Sequence, residues 1–151
     1  GYIREFSLAP IAYCLLPNHY HFLLRQDGDV RAGLLPQRAF NSYGKAYNKR
    51  YGHSGTLFEG VYRVRPVLDD GHLLHLCRYI HANPVIHGIV DHVADWPYSN
   101  YREWVGERPG TLVDRAFITA HFRNAAAYDV FVSDYIATRR LPEGLAYLKE
   151  W

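Results

Sequence analysis

Residues 11–25, Ile11-Ala12-Tyr13-Cys14-Leu15-Leu16-Pro17-Asn18-His19-Tyr20-His21-Phe22-Leu23-Leu24-Arg25, decide the fold. The apolar run from Ile11 to Leu16 stops at Pro17-Asn18, a turn dipeptide. His19 to Arg25 then reads as a second strand, so the stretch predicts a β-hairpin. Side chains alternate along a strand, which sends Tyr20, Phe22 and Leu24 to one face and His19, His21 and Leu23 to the other. The expectation is one packing face and one face carrying two imidazoles. An H-x-H pair on a strand brings both rings within reach of one metal ion; two polar residues on a solvated sheet face are the plainer reading. Two imidazoles alone leave a divalent ion incomplete, because it takes a further protein ligand and, in a catalytic site, keeps positions open for substrate oxygens.

The next segments read as helices. Leu34, Leu35, Phe40, Tyr43 and Tyr47 recur at roughly helical spacing between Arg31 and Tyr51, with Pro36 near the start and Gly44 as a weak point. Tyr62 to Leu68 reads as extended, with Arg63 and Arg65 on one face. Asp69-Asp70-Gly71 supplies a helix start, and the helix from His72 is expected to end or kink near Ala82, ahead of Pro84. Within it Tyr79 and Asn83 are four apart and share a face, so a phenol stands one turn from a side-chain amide. A core tyrosine and a helix-capping asparagine are the plainer reading of that pair. Trp96-Pro97 marks a turn, and two more helices are expected near 114–122 and 126–140. Phe117, Phe122, Tyr128, Phe131 and Tyr135 are most simply packing residues. Strands and helices in this arrangement predict an α+β fold, a small sheet with helices on one face.

Composition narrows the class. The 151 residues fit one domain, and 48% hydrophobic with 21% charged residues is a globular balance. No apolar run reaches the ~18–20 residues a membrane helix needs, so no membrane role is expected. Two cysteines, Cys14 and Cys77, are too few for a disulfide scaffold and fit a reducing cytoplasm. The chain holds no Met, even at position 1, which is expected of a piece of a longer protein. The net charge of +2 conceals an asymmetry: nine basic and four acidic residues up to Leu68 give +5, and eight basic against eleven acidic after it give −3. A basic half interleaved with Tyr43, Tyr47, Tyr51 and Tyr62 suits single-stranded nucleic acid, whose phosphates need cations and whose bases need flat partners.

Four ordered blocks carry a family resemblance. Leu16-Pro17-Asn18-His19-Tyr20-His21 resembles the M-P-N-H-x-H signature of the HUH single-tyrosine transposases, with Leu16 for Met and Tyr20 for an aliphatic residue. Arg78-Tyr79-Ile80-His81-Ala82-Asn83-Pro84-Val85 resembles the R-Y-I-H-x-N-P-V helix of the same family. Between them, Tyr47 to Gly55 with Leu57-Phe58-Glu59-Gly60 looks like that family too, as does Trp96 to Arg102 downstream. The Y-x-x-x-N form points to the REP-associated tyrosine transposase branch. The resemblance implies a ferredoxin-like antiparallel sheet with helices on one face, forming one domain over 1–151 with a helical extension over 112–151. It also implies an upstream strand and helix, where only about ten residues precede the hairpin here.

The resemblance further implies a bacterial, cytoplasmic enzyme that cuts and rejoins single-stranded DNA beside REP-like hairpins, as a monomer or homodimer. Tyr79 would be the nucleophile, and His19, His21 and Asn83 would bind Mg²⁺ or Mn²⁺. Lys45, Lys49, Arg50, Arg63 and Arg65 are candidate contacts to the DNA backbone. Two other readings compete: a hairpin-binding or single-strand-binding protein without cleavage, and an unrelated metal hydrolase built on His19 and His21.

Overall fold

The computed structural model describes residues 1–150. Element order is α1 (Tyr2–Glu5), β1 (Leu8–Leu15), β2 (Tyr20–Gln26), α2 (Leu34–Tyr51), α3 (Asp70–Ile86), a 3₁₀ turn (Val93–Asp95), α4 (Tyr101–Trp104), α5 (Arg115–His121), α6 (Ala125–Thr138) and a closing 3₁₀ segment (Glu143–Glu150). The class is α+β. Strands β1 and β2 pair into a two-stranded antiparallel sheet around Pro17-Asn18, where the Leu16 amide donates to the His19 carbonyl at 2.8 Å. One isolated antiparallel bridge, Cys14 to Ser99, adds a short third edge. The wider ferredoxin-like sheet implied by the resemblance needs strands beyond these.

Two compact units divide the residues: 1–8 with 25–66, and 9–24 with 67 onward. In the first, α1 meets α2, where the Tyr2 hydroxyl and Ser42 Oγ lie 3.1 Å apart. Helix α2 ends at Gly52, whose φ of +61° is a left-handed cap that a glycine adopts without Cβ strain. Its tyrosines recur every four residues and form a column, Tyr43 to Tyr47 at 6.2 Å and Tyr47 to Tyr51 at 4.6 Å between ring centroids. The stretch expected as extended, 62–68, carries no strand pairing among the described residues.

The second unit holds the main core, with Ile11, Cys14 and Leu23 from the hairpin, Leu76, Cys77 and Ile80 from α3, and Tyr128 and Val132 from α6. Cys14 and Cys77 are buried thiols without a disulfide. Helix α3 starts where the sequence predicts, with the Asp69 carboxylate accepting from the His72 amide at 2.9 Å. It does not stop before Pro84. The helix runs to Ile86 with Pro84 buried inside it, and the Asn83 carbonyl still accepts from the His87 amide at 2.9 Å. Proline removes one amide donor and crowds the turn before it, a cost confined to the helix's last turn and opposed by core packing.

The hairpin faces are also the reverse of the expectation. Leu23, on the histidine face, is the fully buried β2 residue, whereas Tyr20, Phe22 and Leu24 are half-buried. Tyr20 and Phe22 pack on each other, and Phe22 on Tyr13, at 5.5 and 6.2 Å between ring centroids. The histidines therefore sit on the side where the core forms, beside α3.

A buried polar hub joins hairpin, α3 and α6. Asn100 is fully buried; its Oδ1 accepts from the Tyr13 amide at 2.8 Å, and its Nδ2 donates to the Ile11 and Leu112 carbonyls. That orientation makes His81 Nε2, 2.9 Å from Asn100 Oδ1, a donor. The neutral ring then presents Nδ1 as acceptor to the Tyr128 hydroxyl at 2.5 Å. Burial pushes the His81 pKa down to about 4, against the opposing pulls of the Asn100 hydrogen bond and the Glu103 charge. A histidine with a lowered folded-state pKa binds fewer protons folded than unfolded, so stability is full above about pH 6.5 and is lost as pH falls toward 4. About 3 kcal/mol is expected to go in that window from His81 alone. Urea titrations at pH 7 and pH 4.5 read this directly, and equal unfolding free energies would refute the buried neutral ring.

Candidate active site

The second unit brings three of the four sequence-predicted site residues into ring contact. His19 and His21 flank Tyr20 at the start of β2, with ring centroids 5.1 Å apart. Helix α3 lays Tyr79 against them, its ring 5.4 Å from that of His21 and steeply inclined at 77°. Asn83 follows one turn later on the same helix, 1% exposed, with Nδ2 donating to the Tyr79 carbonyl at 3.0 Å. It is not the helix cap, which is His87.

The imidazoles are prepared as lone-pair donors. His19 Nδ1 lies 2.7 Å from Asn18 Oδ1, an acceptor, so Nδ1 carries the proton and Nε2 is left with its lone pair. Both His19 Nε2 and His21 Nε2 are buried without a hydrogen-bond partner. Burial lowers the His19 pKa and pushes that of His21 down to about 4, with neighbouring imidazoles adding to the effect. Neutral rings with unpartnered buried nitrogens are the state in which imidazole binds a metal ion. Unpaired buried polar atoms are costly, and two of them on neighbouring rings call for an occupant. Among the described residues, no three His, Cys, Asp or Glu side chains already converge as a metal cage. Asn83 offers an amide oxygen instead, a ligand type suited to Mg²⁺ or Mn²⁺.

Tyr79 is 6% exposed, and its hydroxyl donates to the Leu148 carbonyl at 3.2 Å. Burial, chiefly, and then Tyr135 raise its pKa, while a hydrogen bond with Asn83 works the other way. The phenol is therefore protonated at neutral pH and covered by the closing 3₁₀ segment. Access to it requires that segment to part.

Lys45, Lys49 and Arg50 are exposed on α2, and Arg63 and Arg65 are exposed in the stretch after Gly60. All five belong to the first unit, and the histidine–tyrosine group belongs to the second.

Several contributors were not legible as such. Arg78, to which the sequence alone gives no role, is 5% exposed, stacked 4.4 Å over Phe131 and donating to the Phe131 and Arg140 carbonyls and to Asp134. It ties the Tyr79 helix to α6. Trp96 to Arg102 supports the hairpin: Trp96 Nε1 donates to the Leu15 carbonyl at 3.0 Å, and the Leu15 amide to the Tyr98 carbonyl at 2.9 Å. His87, one turn beyond Asn83, lies 5.3 Å from His19 between ring centroids. Its i+4 spacing from Asn83 was the one available signal.

No family model matches the chain. Over 109 residues it is 32% identical to a curated Haemophilus influenzae protein named as a REP-associated tyrosine transposase, covering 65% of this chain and 61% of that one. The chain thus spans about three fifths of the length of that relative. A solved structure of a REP-associated tyrosine transposase bound to a REP hairpin aligns with a TM-score of 0.49 at 23% identity, over 74% of this chain and 69% of that one. No helix among the described residues is long and apolar enough to cross a membrane.

Proposed function

Starting from kinship with the REP-associated tyrosine transposases, we propose that this chain carries the catalytic centre of a metal-dependent enzyme that nicks and rejoins single-stranded DNA beside hairpins. The observation that carries the reading is the packing of Tyr79 on His21, with the unpartnered Nε2 atoms of His19 and His21 beside it. His19, His21 and Asn83 would hold Mg²⁺ or Mn²⁺, which when bound polarises the scissile phosphate and offsets charge in the transition state.

The chain's own residues supply the rest. The Tyr79 hydroxyl exchanges the Leu148 carbonyl for the phosphate, loses its proton and attacks phosphorus. The P–O3′ bond breaks, leaving a 5′-phosphotyrosine and a free 3′-OH that takes up a proton. A second 3′-OH reverses the step, so rejoining needs no external energy source. Asn83, anchored to the Tyr79 carbonyl, keeps its amide in register with the phenol. Exposed Tyr43 and Tyr51, beside Lys45, Lys49 and Arg50, suit stacking of unpaired bases and backbone neutralisation.

Incubation with a hairpin-bearing single-stranded oligonucleotide and Mn²⁺ is expected to yield a protein–DNA adduct that survives denaturing electrophoresis and disappears with chelator. Hairpin binding without adduct under either Mg²⁺ or Mn²⁺ would overturn cleavage and leave a binding module. That alternative gains weight from the covered state of Tyr79.

A further inference from the structure

The strongest unassigned group near the proposed site is His87. It caps α3, is exposed, and its ring lies 5.3 Å from that of His19 at 76°. His19 in turn lies 5.1 Å from His21 at 86°. Two imidazoles bound to one ion at ~2.1 Å hold their ring centres roughly 5 Å apart, so both spacings match those of co-ligands. Along α3, Tyr79, Asn83 and His87 follow one another at four-residue intervals, which keeps them along one side of the helix.

We infer that His87 is a third imidazole ligand of the metal site, making the set His19, His21, His87 and the Asn83 amide rather than two histidines and an amide. The inference rests on the proposed metal site and extends it. Three observations carry it. His19 Nε2 and His21 Nε2 are buried and unpartnered. The His87 ring stands as close to that of His19 as the His21 ring does, at 5.3 against 5.1 Å. Its place at the exposed end of α3 lets the side chain rotate without disturbing the core, and such a rotation is needed because the three rings do not yet converge. The backbone amide of His87 donates to the Asn83 carbonyl and that of Gly88 to the Val85 carbonyl, so the Cα is fixed while the ring is free to turn. The carboxyl end of a helix also favours positive charge.

The chemical consequence is selectivity. Each added imidazole shifts a site from Mg²⁺ toward Mn²⁺, Co²⁺ and Ni²⁺, because nitrogen donors suit the later metals and Mg²⁺ prefers oxygen. His87 would therefore set which ion occupies the centre.

The test is titration of the full chain with Co²⁺ and with Mg²⁺ alone, without DNA, followed by calorimetry and by the paramagnetically shifted imidazole N–H resonances of the Co²⁺ form. Three shifted imidazole signals are expected for the parent and two for His87→Ala. The variant should bind Co²⁺ about 10-fold more weakly or worse and Mg²⁺ nearly unchanged, while His92→Ala, an exposed control, behaves as parent. If His19→Ala and His21→Ala lose Co²⁺ but His87→Ala keeps parental affinity and signal count, the third ligand is overturned and the two-histidine site stands. If the parent binds neither ion at millimolar concentration, both fall.

Discussion

Tyr79→Phe is expected to abolish the covalent DNA adduct, by at least about 10³-fold, while leaving the fold and DNA binding nearly intact. The phenol oxygen is the only heavy atom removed. Nucleophile replacement removes a whole reaction route rather than weakening one contact. The structural cost is small, since the lost hydrogen bond to the Leu148 carbonyl is a single neutral one, worth about 1 kcal/mol. Denaturing electrophoresis of the reaction, with circular dichroism and a hairpin-binding titration on the same samples, separates the two effects. Adduct at parental level from a folded Tyr79→Phe protein would remove Tyr79 from the chemistry and with it the proposed mechanism.

Asn100→Leu is expected to be the most destabilising single change at a residue outside the proposed chemistry. The side chain is nearly isosteric, so packing changes little, but four hydrogen bonds go at once. The Tyr13 amide, the Leu112 carbonyl and His81 Nε2 lose a partner in the interior. The Ile11 carbonyl fares better, because Trp104 Nε1 also donates to it at 2.9 Å. With each orphaned buried group costing ~1–3 kcal/mol, a loss of about 4 kcal/mol follows, or a fall in Tm of about 10 °C or more. Thermal and urea unfolding measure it. Asn18→Ala, at the exposed turn, serves as the comparison and should cost under about 1 kcal/mol. A loss of that small size at Asn100 would mean that the hub does not hold hairpin to helix. Its effect on the site would be indirect, through the register of β1 and of α3 at His81.

Much of the local structure was legible in the residues. The hairpin follows from an apolar run, a Pro-Asn turn and a second alternating run, and α3 follows from the Asp69 cap, which accepts a backbone hydrogen bond at the helix start. In the structure Asp114 and Asn124 cap α5 and α6 in the same way. These are signals that act within a few residues. The pairing of His19 with His21 is likewise a consequence of strand alternation, and that of Tyr79 with Asn83 of helical pitch.

What only the tertiary structure decided is which surfaces meet. Alternation sorted β2 into two faces, but the choice of core face came from α3 docking on the histidine side, which buries Leu23 and leaves Tyr20 and Phe22 half-covered. Pro84 reads as a breaker in isolation, and burial in the last turn of α3 overrides it. Asn100 and Arg78 have partners 87–89 and 53–62 positions away in sequence, which only the fold brings to them. The same holds for His87 beside His19 and for Leu148 over Tyr79, 69 positions apart. By itself the sequence marked the hairpin, the main helices and the residue types of the candidate site, because turns, caps and periodicity are local. The faces, the buried partners and the cover on the phenol depended on packing between distant segments, and no local pattern encodes that.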